Sequence, residues 1–386
     1  MTGMNRLPAP AGSLLDRSKT IAFQFEGRTY EGFAGDTVAS ALAANDVWIL
    51  SRSFKYHRPR GILTMAGLDA NTLVQVGDEP NVLADRRAIS EGTRRRRPEL
   101  RRQPRARQRD LDRDVRPFPA AGLLLQGLLS TEGRLEILGA VHPQARRPRQ
   151  GRTRRPITAT YDKEYLFADV AVIGGGPAGV AAALQAADAG AEVIVVDDGA
   201  QLGGSLTYAR FDSSGRSGRA LAEEAAQAVA ARSNIRVPVG CRLHRLASPT
   251  TGCAVIRGNR MYKLRAKASV IATGALEQPA VFRNNDLPGV MLGSAAQRLI
   301  RHYGVRPGRA AVVVTANADG YAVAADLVEA GRGRQRGRRS AHRTREPSPM
   351  SRRRSDSICA SSQVALSSRR SPPSGSAAFR PRWSPR

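Results

Sequence analysis

Gly174, Gly176 and Gly179 stand as G-x-G-x-x-G in VIGGGPAGVAAAL, with Asp197 lying 23 residues beyond the first glycine. That spacing suits the diphosphate and ribose of a dinucleotide. Gly174 permits a tight turn, Gly176 lets backbone approach a pyrophosphate, and Gly179 allows a helix to pack closely on a strand. A helix N-terminus starting at Pro177 and Ala178 turns N–H groups and a positive dipole end toward phosphate. The glycine turn with Gly175, the carboxylates Asp197 and Asp198, and Gly204-Ser205 in LGGSL make up the candidate cofactor site. Thr273, Gly274 and Ala275 in ATGALEQP join them, because small residues at a strand end leave room where a cofactor passes. An acid at position 197 fits the ribose of NAD or of FAD, whereas a 2′-phosphate would call for a basic residue, which disfavours NADP.

Those residues need a strand–turn–helix–strand to hold them, and the surrounding sequence supplies one. Asp169–Ile173 reads as a strand, the segment from Pro177 as a helix, and AEVIVVDD as the second strand. After it come a helix over GRALAEEAAQAVAARS, strands at 252–257 and 261–265, and a strand ASVIATGA that looks buried. A helix near SAAQRLIRHYG, a strand RAAVVVTAN and a helix YAVAADLVEAG complete a doubly wound α/β pattern, Rossmann-like, over 157–330. A smaller unit precedes it at 20–92. Ile21, Phe23 and Phe25 alternate along a strand, Glu26-Gly27 turns the chain, and Tyr30 begins a return strand. Asp36 is placed to cap a helix carrying Val38 and Leu42, and NTLVQVGDEPNVLA reads as a further alternating strand. This order predicts a β-grasp, ferredoxin-like domain. It contains no cysteine, so it cannot ligate an iron–sulfur cluster.

At 386 residues the chain has room for two or three domains, and its net charge of +28 raises the question of a polyanionic partner. The charge is confined, however. Residues 93–155 hold 18 Arg against 6 acids and residues 331–386 hold 15 Arg against 2, together 25 of the 28 charges. Neither segment contains lysine, although a phosphate-binding surface ordinarily mixes the flexible point charge with the planar fork. A nucleic-acid-binding role is therefore disfavoured. The residues enriched there (Arg, Pro, Ala, Gly and Ser) have G/C-rich codons. Reading the codons of Glu99–Gln108 from their second base admits NY-x-GSLERDS. The same offset admits GFYYKAFFRP from Gly122 and VEVASVVVDLR from Gly331. Residues 93–156 and 331–386 are accordingly expected to be disordered or out-of-frame polypeptide, leaving an open sheet edge after Gly331.

Cys241, Cys253 and Cys359 form no C-x-x-C pair, no metal site is suggested, and no signal peptide or membrane-spanning run is visible. A cytoplasmic location is expected, with neither nucleic acid nor membrane as partner. His57, with Lys55 and Arg58, could hold an anion or be a solvated basic loop, and His302 is expected to cap a helix end. Spacing identifies no catalytic residue.

SRSFKYHRPRGI, EPNVL, VIGGGPAGVAAALQAADAGAEVIVVDD, LGGSL and IATGALEQPAVFRNNDLPGVML together resemble the α subunit of heterotetrameric sarcosine oxidase, with opine oxidase subunits sharing the same blocks. The likeness covers 20–92 and 157–330, the front portion of that family's chain. It implies part of an oxidoreductase that acts on a small amine, with NAD bound at Gly174, Gly176, Gly179 and Asp197 and FAD as the alternative. It further implies flavin in a complex with β and smaller subunits, and little activity for this chain alone. A folate-handling domain would follow in the family. The alternative is an opine or amino-acid oxidase or dehydrogenase subunit using FAD or NAD.

Overall fold

A computed structural model describes residues 3–53, 56–69, 72–76, 79–90, 99–102, 162–213, 216–238, 240–248, 252–332 and 362–367. Strands β1 (Asp16–Phe25) and β2 (Arg28–Ala34) form the expected hairpin, with Phe23 opposite Tyr30 and Phe25 opposite Arg28. Glu26 and Gly27 both take positive φ, as a two-residue hairpin turn requires. A two-residue hairpin, β3 (Ser51–Arg52) with β4 (Pro59–Arg60), follows helix α1 (Val38–Ala44). Every residue of α1 is buried.

Three expectations for this region change. NTLVQVGDEPNVLA is an antiparallel pair, β5 (Leu73–Val76) with β6 (Glu79–Leu83), not one strand. The cap of α1 is Thr37, not Asp36. The Thr37 hydroxyl accepts from the Ser40 amide at 3.2 Å and the Ser40 hydroxyl accepts from the Thr37 amide at 2.9 Å, a reciprocal capping box. Asp36 is drawn elsewhere, because Arg6 binds it with both guanidinium nitrogens at 2.7 and 3.2 Å in a buried pair. Finally, the Arg-rich segment is not wholly without structure. Its residues Glu99–Arg102 form β7, parallel to β1 and antiparallel to β5, giving the order β2-β1-β7-β5-β6. An inner strand there pairs backbone groups on two neighbours that would otherwise stay open. The rest of 93–156 lies outside the described residues.

The second sheet carries the glycine turn. Its strands are β8 (Asp162–Ile173), β9 (Val193–Val196), β12 (Ile235–Arg236), β13 (Arg242–Ser248), β14 (Gly252–Arg257) and β15 (Arg260–Ile271). A small hairpin, β10 (Asp212–Ser213) with β11 (Arg216–Ser217), sits between β9 and β12 in the chain. The order is β12-β9-β8-β15-β14-β13, parallel from β12 to β15 and antiparallel beyond. Helices α2 (Pro177–Asp188) and α3 (Gly218–Ala230) cover one face, where Val172, Val180, Ala183, Val195 and Val229 form the core. Ile173, Ile194, Val196, Cys253, Val255 and Leu264 form the core on the other face. Strand β8 begins seven residues before the expected Asp169, since β15 pairs with it along its whole length. The strands expected at 261–265 and at ASVIATGA are one strand, which stops at Ile271 with that side chain 56% exposed.

Residues 290–332 form β16 (Val290–Leu292), α4 (Gly293–Arg301), β17 (Ala310–Thr315) and α5 (Asp319–Arg332). The cores do not divide where the sequence suggests. Met291, Leu299, Tyr303 and Val323 pack with Phe25, Leu42, Leu50 and Ile62 in one cluster, so these residues complete the front body. The edge after Gly331 is not left open either. Ser362–Ser367 form β18, antiparallel to both β16 and β17 and lying between them. The remainder of the expected aberrant tail, 333–361 and 368–386, lies outside the described residues. Among the described residues, no helix is long and apolar enough to cross a membrane.

Candidate functional site

The carboxyl ends of β8, β9 and β15 meet around the glycine turn. Gly174 has φ +110°, and a Cβ there would lie 2.2 Å from the Ala272 carbonyl oxygen. Gly179 is as constrained, since its Cβ would stand 1.8 Å from the Gly174 carbonyl oxygen. Gly176 differs from both: it has an ordinary φ of −76°, and a Cβ would meet nothing nearer than the Gly204 Cα at 3.9 Å. The protein's own packing therefore explains glycine at 174 and 179 but not at 176. What glycine leaves at 176 is space in front of a helix N-terminus. That helix, α2, has no side-chain cap, carries Pro177 at its start and has no acid in its first turn. Pro177 and Ala178 are exposed and Gly175 is buried. An anion is the natural partner of such an end.

Asp197 is tied to the turn it was expected to serve. One carboxylate oxygen accepts from the Gly175 amide at 2.6 Å and the other from the Gly199 amide at 2.8 Å. A carboxylate has about four acceptor positions, so two remain for ribose hydroxyls. Asp198 points differently, forming a salt bridge to Arg86 of the front body. Gly204 opens a short 3-10 turn, Gly204–Thr207, that lies against Gly176, and the Gly203 amide donates to the Gly175 carbonyl at 2.7 Å. Ser205 on that turn is exposed. Thr273, Gly274 and Ala275 follow β15 rather than ending it. Thr273 sits beside the turn, because the Ala272 amide donates to the Ile173 carbonyl at 2.7 Å and Gly174 backs onto Ala272 and Thr273. The glycine turn, Asp197, Gly204 and Thr273 are thus gathered at one sheet edge, while Asp198 faces the front body. A separate cavity of about 480 Å³, floored by Leu202, Ala222, Ala226, Val229 and Ile235, contains none of them.

Sequence reasoning missed what grips this edge from outside. His302 occupies the C-cap position of α4, as expected, but does more than cap. Its Nε2 lies 3.0 Å from the Thr207 hydroxyl, which itself donates to the Gly204 carbonyl at 2.7 Å. With that hydroxyl proton committed, Nε2 is the donor to Thr207, which assigns the neutral Nε2–H tautomer. Burial, and then the nearby Arg298, push His302 down to about 4. Arg298 lies over the Tyr208 ring at 4.0 Å. Arg58 and Arg60 both bind Asp286, and Arg58 also donates to Asn284, so Arg58 in the suggested anion loop is already engaged. Lys55 lies outside the described residues.

His302 gives a pH-dependent prediction. Its folded value lies below the ordinary 6.5, so the unfolded chain binds the extra proton first. The stabilisation is complete above pH 6.5 and lost as pH falls toward 4, by about 3 kcal/mol in total. The denaturation midpoint should fall across that window in the wild type and fall less in His302→Gln.

Comparison with known proteins divides the chain as the sequence pattern does, not as the cores do. The 2Fe-2S iron-sulfur cluster binding domain family matches residues 18–98, and the pyridine nucleotide-disulphide oxidoreductase family matches 168–332. The sarcosine oxidase α subunit of Rhizobium meliloti (strain 1021) is 35% identical over 353 residues, 85% of this chain and 35% of that protein. The chain is a homologue of sarcosine oxidase α subunits. It spans about a third of their length, and the α subunit from Corynebacterium sp. (strain P-1) gives the same picture, at 32% identity over 84% of this chain and 31% of its own. An opine oxidase subunit from Agrobacterium tumefaciens (strain Ach5) is 33% identical over 43% of this chain and 35% of that protein. In fold, L-proline dehydrogenase from P. horikoshii matches with a TM-score of 0.59 at 22% identity, over 84% of this chain and 54% of that one.

The chain thus has a ferredoxin-like front domain followed by a dinucleotide-binding α/β domain, and its homologues are oxidoreductases. The cluster named by the front family does not fit here. Residues 18–98 contain no cysteine and one histidine, His57, so thiolate ligation is unavailable.

Proposed function

We propose that the chain is the dinucleotide-binding front portion of a sarcosine oxidase-type α subunit, holding NAD at the Gly174–Gly179 turn and Asp197. The observation that carries this is Gly176, a glycine without a packing reason, set at an uncapped helix N-terminus. In the assembly, a flavin borne with β and smaller subunits would take two electrons from a small secondary amine such as sarcosine. Hydrolysis of the resulting imine would give glycine and a one-carbon unit, and dioxygen would be reduced to hydrogen peroxide. This chain's residues bind and orient a dinucleotide; none of them is assigned a proton transfer. Coverage favours the sarcosine reading over the opine reading, since the former likeness runs through both domains and the latter through less than half of the chain.

The Arg-rich segments 93–156 and 331–386 are read as disordered or out-of-frame polypeptide, a reading that resequencing the coding DNA from independent template decides. A nucleic-acid role gains no support from the homologues. The nucleotide assignment is tested by acid release of bound cofactor from the purified chain, with absorbance and mass identifying it. NAD is the expected product. FAD would move the site to the alternative reading, and failure of both to bind on addition would remove the dinucleotide assignment. The substrate assignment is tested on a complex co-expressed with β and smaller subunits, which should form peroxide from sarcosine faster than from opines.

A further inference from the structure

The front body reaches Asp198, the residue after Asp197, through one side chain. Arg86 follows β6 and lies across Gly67, so closely that a Cβ at Gly67 would stand 1.8 Å from the Arg86 Nε. Gly67 has φ +70°, and its amide donates at 2.7 Å to the buried carboxylate of Asp85, which also accepts from the Thr72 hydroxyl at 3.2 Å. Asp85 therefore fixes the turn, and the turn leaves a lane for the arginine. At the end of the lane Arg86 binds the Asp198 carboxylate, and its other terminal nitrogen approaches the Asp198 carbonyl at 3.4 Å. It also donates to the Ala66 carbonyl at 3.3 Å. Asp198 directly follows the residue whose carboxylate is bound to the glycine turn.

A guanidinium beside the ribose acid is the group that would accept a 2′-phosphate, through its planar fork of donors. Here Asp198 already occupies that fork. We infer that Arg86 and Asp198 form the specificity-determining pair of the dinucleotide site, Asp198 masking a cation that would otherwise bind a 2′-phosphate. The pair also makes the front body part of the nucleotide site, although its own fold has no nucleotide motif. The inference rests on the dinucleotide reading of the Gly174 turn.

The test is a double-mutant cycle on the full chain, with ADP-ribose and 2′-phospho-ADP-ribose as probes and Kd read by calorimetry. The wild type should prefer ADP-ribose. Asp198→Asn should free Arg86 and shift the ratio of the two Kd values about tenfold toward the phosphorylated probe. Arg86→Ala added to Asp198→Asn should abolish that shift, as should Gly67→Ala, whose methyl group blocks the lane. A merely structural pair would lower the denaturation midpoint without moving the ratio. An unchanged ratio in Asp198→Asn, or a shift that survives removal of Arg86, overturns the assignment. If the wild type binds neither probe, the dinucleotide reading falls first and this inference with it. Binding of ADP-ribose with a flat cycle refutes only the pair.

Discussion

Gly176→Val is expected to weaken NAD binding at least about a hundred-fold, or roughly 2.7 kcal/mol, while shifting the denaturation midpoint little. The separation of the two readouts follows from what surrounds each glycine. At Gly176 the backbone already has a φ that any residue adopts, and the first atom a Cβ would meet is 3.9 Å away. The Cβ of a valine meets only ordinary contact distances there. Its branched side chain would instead fill the approach to the N-terminus of α2, where the proposed diphosphate would contact backbone N–H groups. Gly179→Val should behave in the opposite way. Its Cβ would be driven into the Gly174 carbonyl, so the helix must part from β8 and the domain lose its fold. Calorimetric titration alongside a denaturation curve distinguishes the two. If Gly176→Val bound NAD as the wild type does, no diphosphate could lie at that turn.

Asp326→Ala is expected to cost about 3–5 kcal/mol, a large loss for one side chain. Asp326 is 1% exposed and accepts from Arg301 at 2.6 Å, from Arg210 at 3.0 Å and from Gln297 at 2.9 Å. Removing the carboxylate takes the anion from Arg301 and the acceptor from the buried Gln297 amide, while Arg210 keeps its two bonds to Glu329. Arg210→Ala should cost much less, because that arginine is 38% exposed and Asp326 keeps two other donors. Denaturant titration measures both, with an unchanged slope showing that the loss is one of stability. A cost below about 1 kcal/mol for Asp326→Ala would mean that the network relaxes around the gap.

What can be read from the sequence is whatever obeys local rules. The glycine turn is legible because three glycines, a strand before and a helix after must occur together, and the structure joins 174–179, 197, 204 and 273 at one edge. The hairpin around Glu26-Gly27 is legible for the same reason. Asp36 reads wrongly as a cap because its true partner, Arg6, is 30 residues away and carries no local signal. β7 and β18 are hidden by composition: four and six residues inside Arg-rich sequence become strands only because two neighbours offer open edges. Arg86 escapes notice, and so does the reach of His302 beyond its cap, since each acts across more than ninety residues of chain, on Asp198 and on Thr207. The signals they leave are faint ones, a basic residue after a strand and a histidine at a helix end.

The shared core of the front body has a consequence for synthesis. Phe25 and Leu42 lie in one cluster with Met291, Leu299 and Val323. The first ninety residues thus emerge with an apolar face whose cover is encoded roughly two hundred residues later, a wait of roughly 10–40 s at ribosomal rates. Over that interval the nascent front domain presents apolar surface of the kind that holding chaperones bind. Any ribosome that stops before the codon for Met291 releases a chain with that face uncovered.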